Sequence, residues 1–281
     1  MRLVILFCLS AMVWGLAACN AEESGSDDPE TVRENLIREE NTPQPQRPAN
    51  LPTVQIEDLS GDGTLTLNDD RRARLIGVSL PPEGAPFHAE ARDYLREQLN
   101  GQPIGVQTGA LRQDEAGRAW IYAWRNGALV NHDIIQAGFA HYASQPPNTG
   151  YDSFFIRAER LAAEGQNGLW RAADLPLQID TVFIPAASDE RVPFVRLRNV
   201  SEESLSLAGA QLRDLDYTVY PFGDVTLEAY NTLTVYVRCG RDQPREISWC
   251  GAGPVWDGVH DIVFLSAADQ RYIDHQYIPA R

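Results

Sequence analysis

The stretch RLIGVSLPPE, residues Arg74 to Glu83, decides how the rest of the chain is read. An arginine opens a short run of strand character, Pro81-Pro82 stops it, and Glu83 presents one carboxylate. Proline cannot donate to a sheet ladder, so the strand should end there. Just upstream, GTLTLND (Gly63–Asp69) alternates apolar and polar residues, and RRARLIGVSL (Arg71–Leu80) alternates again. Asn68-Asp69-Asp70 lies between the two runs as a turn, so the pattern predicts a β-hairpin.

Downstream, PFHAEARDYLREQLNG (Pro86–Gly101) places Ala89, Tyr94, Leu95 and Leu99 near helical spacing, with Gly101 just past the end. QPIGVQTGAL and RAWIYAWRNG read as two further strands. ALVNHDIIQAGFAHY (Ala128–Tyr142) reads as a second helix, and GYDSFFIRAERLAAEGQNGLW (Gly150–Trp170) as a third closed by Gly165. Strands first and helices interleaved late predict a small barrel with three helices packed on it. After Trp170 the helical signal stops. DTVFIPA, VPFVRLRNVS, LSLAGAQLRDL, YTVYPF, NTLTVYVRCG, DIVFLSA and RYIDHQYIP are short strands separated by turns, which is the expectation for a β-sandwich. The fold class is therefore mainly β with α, in two folded parts, 51–172 and 176–281.

The chain has 281 residues, 43% hydrophobic and 22% charged, with a formal net charge of −15. Such an acidic chain has no general attraction for nucleic acid, so any binding must come from a local cluster of arginines. All 24 basic residues are arginine. Arg2 followed by the apolar run Leu3–Trp14 has the form of an export signal and is too short for a membrane span. Residues 20–50 are rich in Glu, Asp, Ser, Pro and Gln, offer little to bury and read as a tether, with a short helix around Thr31–Arg38. Cys239 and Cys250, in an exported chain, are expected to form a disulfide. No Cys/His cluster has zinc spacing.

Three resemblances follow from these residues. Leu16-Ala17-Ala18-Cys19 resembles the lipobox of bacterial lipoproteins, which implies lipidation of Cys19 and a membrane anchor; ordinary signal cleavage at an Ala-x-Ala-like site is the alternative. Asn20 favours the outer membrane, with the folded parts periplasmic or at the cell surface. Residues 54–170 resemble the staphylococcal nuclease (thermonuclease) family through five stretches in order: GDGTLTL, RLIGVSLPPE, DEAGRAWIYAW, GALVNHDIIQAGFAHY and AEGQNGLW. That resemblance implies an OB-type barrel with three helices. Residues 176–281 resemble the lamin-tail domain, an immunoglobulin-like sandwich, through FVRLRNVSEESLSLAGAQLRD and WDGVHDIVFLSAADQRYIDHQYI. It implies a binding or attachment module with no named ligand.

The nuclease resemblance also implies a chemistry. Calcium held by two aspartates polarises the phosphate, a glutamate serves as base, and two arginines neutralise the phosphorane. Arg74 and Arg118 match the two arginines. The acidic positions fall on Gly63, Ser79 and Pro82, while Asp62 and Glu83 each lie one residue away. A one-residue slip along a strand turns a side chain to the opposite face, so Asp62 should point away unless a bulge re-aims it. Glu83 lies in a loop, where a shift is cheaper. The reading is a degenerate site, with Asp62 and Glu83 as the tentative metal and base residues should calcium still be used. A binding or scaffolding role in the envelope follows, with weak nucleic-acid affinity, an unknown envelope partner and a monomeric state. The alternatives are an active calcium-dependent nuclease with a shifted acidic set, and a purely structural role for both parts. His88, His132, His141, His260 and His275 read as caps, core or surface. Trp120, Tyr122 and Trp124 share a strand face and read as core, although aromatic residues on such a barrel can stack bases.

Overall fold

Alternation of apolar and polar residues makes the first hairpin, and a computed structural model of the chain shows where that hairpin leads. The structure describes residues 44–99, 101–186, 189–251, 255–256 and 261–278. The expected export signal, Cys19 and the helix expected around Thr31–Arg38 lie outside them. From Pro45 onward the chain is one compact unit.

The hairpin is β3 (Leu65–Leu67) against β4 (Arg72–Leu75), preceded by β1 (Thr53–Val54) and β2 (Ile56–Leu59). The run after Arg74 does not stay one strand. Gly77, at φ 75°, bends it, and β5 (Val78–Ser79) leaves the sheet; a Cβ at Gly77 would lie 2.5 Å from the Phe155 ring. Helix α1 (His88–Leu99) buries Ala91, Leu95 and Leu99. Then come β6 (Ile104–Gln113), β7 (Ala119–Arg125) and β8 (Ala128–Leu129). The sheet runs β1-β6-β7-β4-β3-β2, with β8 on β7, and forms a nearly closed barrel.

Helix α2 is shorter than its sequence pattern suggests, covering Val130–Gln136. Gly138 takes φ 77°, which ends the helix, and His141–Tyr142 becomes β9, paired with β5. Helix α3 (Asp152–Glu164) ends at Gly165, as expected, and a single 3-10 turn spans Gly168–Trp170. Tyr122 and Trp124 are buried against Tyr151, and the Tyr122 hydroxyl donates to the Asn148 carbonyl at 3.0 Å. Neither ring is therefore open to a base.

The C-terminal part holds β10 (Leu177–Phe183), β11 (Phe194–Asn199), β12 (Leu205–Ser206), β13 (Gln211–Arg213) and β14 (Val219–Pro221). It continues with β15 (Thr226–Leu227), β16 (Thr232–Tyr236), β17 (Glu246–Ser248), β18 (Asp261–Ser266) and β19 (Tyr272–Ile278). Among these, β15 and β17 escaped the sequence reading. Two four-stranded sheets form, β10-β11-β16-β17 and β14-β13-β18-β19, and share one core around Leu197, Val235, Leu212 and Val263. A disulfide joins Cys239 to Cys250.

Strand β18 explains how the two parts meet. All six of its residues are buried. Val263 and Leu265 face the sandwich core, while Ile262 and Phe264 face a separate cluster with Ala162, Leu169 and Trp170 from the end of the barrel part. A strand covered on both faces reads as a continuous apolar run, as the central IVFL (Ile262–Leu265) does.

Candidate functional site

Parallel pairing of β4 with β7 sets Ala73 beside Ala119 and Arg74 beside Trp120, which brings Arg74 close to Arg118. Arg118 is placed by a tight turn. The Asp114 amide donates to the Arg118 carbonyl, and Gly117 at φ 75° lets the chain reverse. Asp114 then clamps Arg118: its carboxylate accepts from the Arg118 Nε at 2.6 Å and from the Arg118 and Ala116 amides at 2.9 and 3.0 Å.

Asp62 overturns the strand-slip expectation. It sits in the turn between β2 and β3 rather than on a strand, so the two-residue alternation does not govern its direction. Its carboxylate accepts from the Thr64 amide and hydroxyl at 3.1 and 2.9 Å and from Arg118 Nη1 at 3.1 Å. Arg74 Nη2 donates to the Asp62 carbonyl at 3.0 Å. Burial pushes the Asp62 carboxyl up, but the Thr64 hydrogen bonds and the charges of Arg74 and Arg118 outweigh it and hold the group below the usual carboxylate range. Burial likewise pushes Asp114 up, and the hydrogen bonds and charge of Arg118 bring it below. Burial, then the nearby Arg118, lowers Arg74. Two arginines and two carboxylates make the cluster neutral overall.

The other expected residues stand elsewhere. Glu83 is exposed in the loop before Gly84 and makes no hydrogen bond or ion pair among the described residues. Ser79 pairs with His141 across β5 and β9. Gly63 takes φ 80°, and a Cβ there would lie 2.7 Å from Leu80 Cδ1. Leu80 therefore fills the space into which a side chain at position 63 would project.

Residues 72–172 match the family described as staphylococcal nuclease homologue. The nuclease-like part is similar to a thermonuclease of Staphylococcus intermedius, 26% identical over 120 residues, covering 40% of this chain and 71% of that protein. A thermonuclease of Staphylococcus hyicus is 24% identical over the same length and shares. A probable staphylococcal-like nuclease of Oryza sativa subsp. japonica is 29% identical over 105 residues, 36% of this chain and 29% of that protein.

Calcium, the ion implied by the nuclease resemblance, takes six to eight oxygens and is held most tightly where carboxylates converge. At the arginine pair both carboxylates are already engaged by Arg118, and among the described residues no three His, Cys, Asp or Glu side chains gather as a metal group. As arranged, this donor set does not fit calcium. What it can do is present guanidinium donors to a phosphate oxygen that competes with Asp62.

Sequence reasoning missed a second polar group altogether. His141 and Glu159 are fully buried, and His141 Nδ1 lies 3.2 Å from Glu159 Oε1. On the other side, His141 Nε2 meets Arg213 Nη2 at 3.1 Å and the Tyr272 hydroxyl at 3.0 Å, and Arg213 donates to Tyr272. An arginine can only donate, so Nε2 accepts and the proton of a neutral imidazole resides on Nδ1, directed at Glu159. The network ties β9 and α3 to β13 and β19. Its one sequence signal is polar residues inside otherwise apolar elements.

Proposed function

We propose that this chain is an exported scaffold, anchored by lipid at Cys19, whose nuclease-like barrel binds phosphate groups weakly and does not hydrolyse phosphodiesters with calcium. The C-terminal sheets serve in this reading as a lamin-tail-like attachment module for an envelope partner. One observation carries the proposal: both carboxylates that reach the arginine pair are ion-paired to Arg118. A phosphate approaching Arg74 and Arg118 meets a cluster of no net charge, so its attraction is modest.

Phosphate binding follows from this chain's own residues. Arg118 Nη1, shared between Asp62 and Thr64, is the donor a phosphate oxygen would claim by displacing the exposed Asp62 carboxylate. Asp114 would keep the Arg118 Nε edge fixed throughout. No group in this set is poised to take a proton from water, because hydrogen bonds and arginine charges make the two carboxylates weaker bases and Glu83 makes no contact with them.

The test is cleavage of single-stranded DNA by the full chain with millimolar calcium or with chelator. Equal rates are expected. Calcium-stimulated cleavage that disappears in Glu83→Gln would establish instead an active nuclease with a shifted acidic set. For the anchor, Cys19→Ala should move the protein from the membrane fraction to the soluble one. A variant that still sediments with membranes and still incorporates labelled fatty acid would remove the lipid-anchor reading.

A further inference from the structure

A cavity of about 200 Å³ lies between the loop that follows β5 and the β14-β13-β18-β19 sheet. Its loop wall is Pro82, Ala85 and Pro86; facing it are Arg213, Tyr217 and Tyr272. The two walls differ in chemistry. The prolines bring no amide donors, while the opposite wall carries a cation, three hydroxyls and two carboxamides.

Arg213 is only 7% exposed, and no carboxylate lies within ion-pair distance of it among the described residues. Buried arginines are ordinarily paired. Its guanidinium lies between the rings of Phe264 and Tyr217, 3.9 and 4.3 Å from their centres, which offsets part of its desolvation. Its neighbours at hydrogen-bonding distance among the described residues are all neutral acceptors: the Asp214 carbonyl, His141 and Tyr272. Asp214 turns its carboxylate to the Thr218 amide at 2.7 Å. Burial pushes Glu159, the carboxyl beyond His141, up to about 8, so at neutral pH it supplies little countercharge.

Tyr217 is the second, independent sign. Its backbone takes φ 64°, a conformation that bulky residues rarely adopt. Its hydroxyl is buried and has no hydrogen-bond partner among the described residues. A strained tyrosine whose hydroxyl lacks a partner, stacked on a cation that lacks a countercharge, is a site missing an anion.

The geometry points to a binding site for a small carboxylate with an apolar body, its carboxylate toward Arg213 and the Tyr217 hydroxyl and its body against Pro82, Ala85 and Pro86. Size sets the class. An apolar cavity of about 150 Å³ holds benzene in another protein, so this one has room for a single ring, or a branched chain of similar bulk, plus its acid group. The site is separate from the arginine pair and does not depend on the function proposed for it.

Benzoate is the probe, titrated calorimetrically into the full chain at neutral pH, with benzyl alcohol as its uncharged counterpart. One saturable benzoate site is expected, with benzyl alcohol weaker by about tenfold or more, since the alcohol leaves the cation without its partner. Tyr217→Phe keeps the ring and removes a hydroxyl that bonds nothing else. It should leave the melting temperature of the free protein in place and weaken benzoate several-fold. Ala85→Leu, which narrows the cavity from the loop side, should abolish binding. The proposal is overturned if benzoate fails to saturate in the millimolar range, if benzyl alcohol binds equally well, or if either variant binds benzoate as the unaltered chain does.

Discussion

The two arginine clusters of this protein differ in charge pairing and in water. At the barrel surface, Arg118 holds Asp62 and Asp114, and the Asp62 side chain remains 53% exposed. Between the barrel and the C-terminal sheets, Arg213 meets His141, behind which lies Glu159, and all three are buried. In the open cluster the Asp62 pair competes with hydration, so that partner can be exchanged for a ligand at little loss. In the sealed cluster the buried His141 and Glu159 have no water to replace a lost partner and hold each other in place, while Arg213 and Tyr272 also line the cavity. The first arrangement suits exchange of a ligand at the surface, and the second joins two parts of a fold while leaving one arginine facing a cavity.

The largest effect should separate the two by stability. Arg213→Met removes the donor shared by the Asp214 carbonyl, His141 and the Tyr272 hydroxyl, leaving only the His141–Tyr272 contact, and should cost about 2–3 kcal/mol. Arg118→Met leaves Asp62 to water and Asp114 with its two amide donors, and should cost about 1 kcal/mol. Urea unfolding of both variants makes the comparison. Equal losses would mean that the buried network is no more cohesive than the surface one.

This contrast also marks what the sequence could and could not disclose. The β3–β4 hairpin, α1 and α3 were legible because their signals are local: alternation, helical spacing, and Gly101 or Gly165 at an end. The arginine pair was legible through motif order. The direction of Asp62 was not, because strand alternation was applied to a residue that lies in a turn. Helix α2 was overextended because only the packed structure shows Gly138 in its left-handed conformation. The sealed network was invisible: the Tyr272 hydroxyl and His141 are 131 residues apart, and no local pattern joins them. Its nearest trace was β18, apolar on both faces, which signals a strand covered twice without saying by what.

The sealed network should also set how stability varies with pH. Burial raises Glu159 from 4.5 to about 8, and burial, then the charges of Arg213 and His275, lowers His141 well below 6.5. For Glu159 the folded chain keeps a proton that the unfolded chain releases, so stability falls as pH rises from about 4.5 through 8. For His141 the unfolded chain takes a proton that the folded chain refuses, so stability falls as pH drops below 6.5. Between about 4.5 and 6.5 the two contributions cancel, because folded and unfolded states hold the same number of protons on this pair. The pair alone gives a plateau there, tilted downward toward acid by His275, whose burial also lowers it, and followed by a loss on the order of 2 kcal/mol from pH 6.5 to 8. Glu159→Gln should remove the alkaline slope. Denaturant midpoints measured across pH read this directly, and an alkaline slope that survives Glu159→Gln would place its origin outside the network.

The smallest effect belongs to the open cluster and tests its exchangeability. Asp62 lies where a phosphate would have to displace it, but its backbone carbonyl also receives Arg74 and its side chain receives Thr64. Asp62→Asn keeps the turn geometry, since the amide oxygen can still accept from the Thr64 amide, while removing the negative charge beside Arg118. The cluster then carries one net positive charge instead of none. An exposed ion pair is worth under about 1 kcal/mol, so affinity for a short single-stranded DNA should rise by no more than about fivefold. The gain should shrink at high salt, because it is a screened surface effect. Fluorescence anisotropy with a labelled oligonucleotide at low and high salt measures both. If Asp62→Asn weakens binding instead, Asp62 would be positioning the arginines for phosphate rather than competing with it, and the open cluster would behave, like the sealed one, as a unit that fails when a partner is removed.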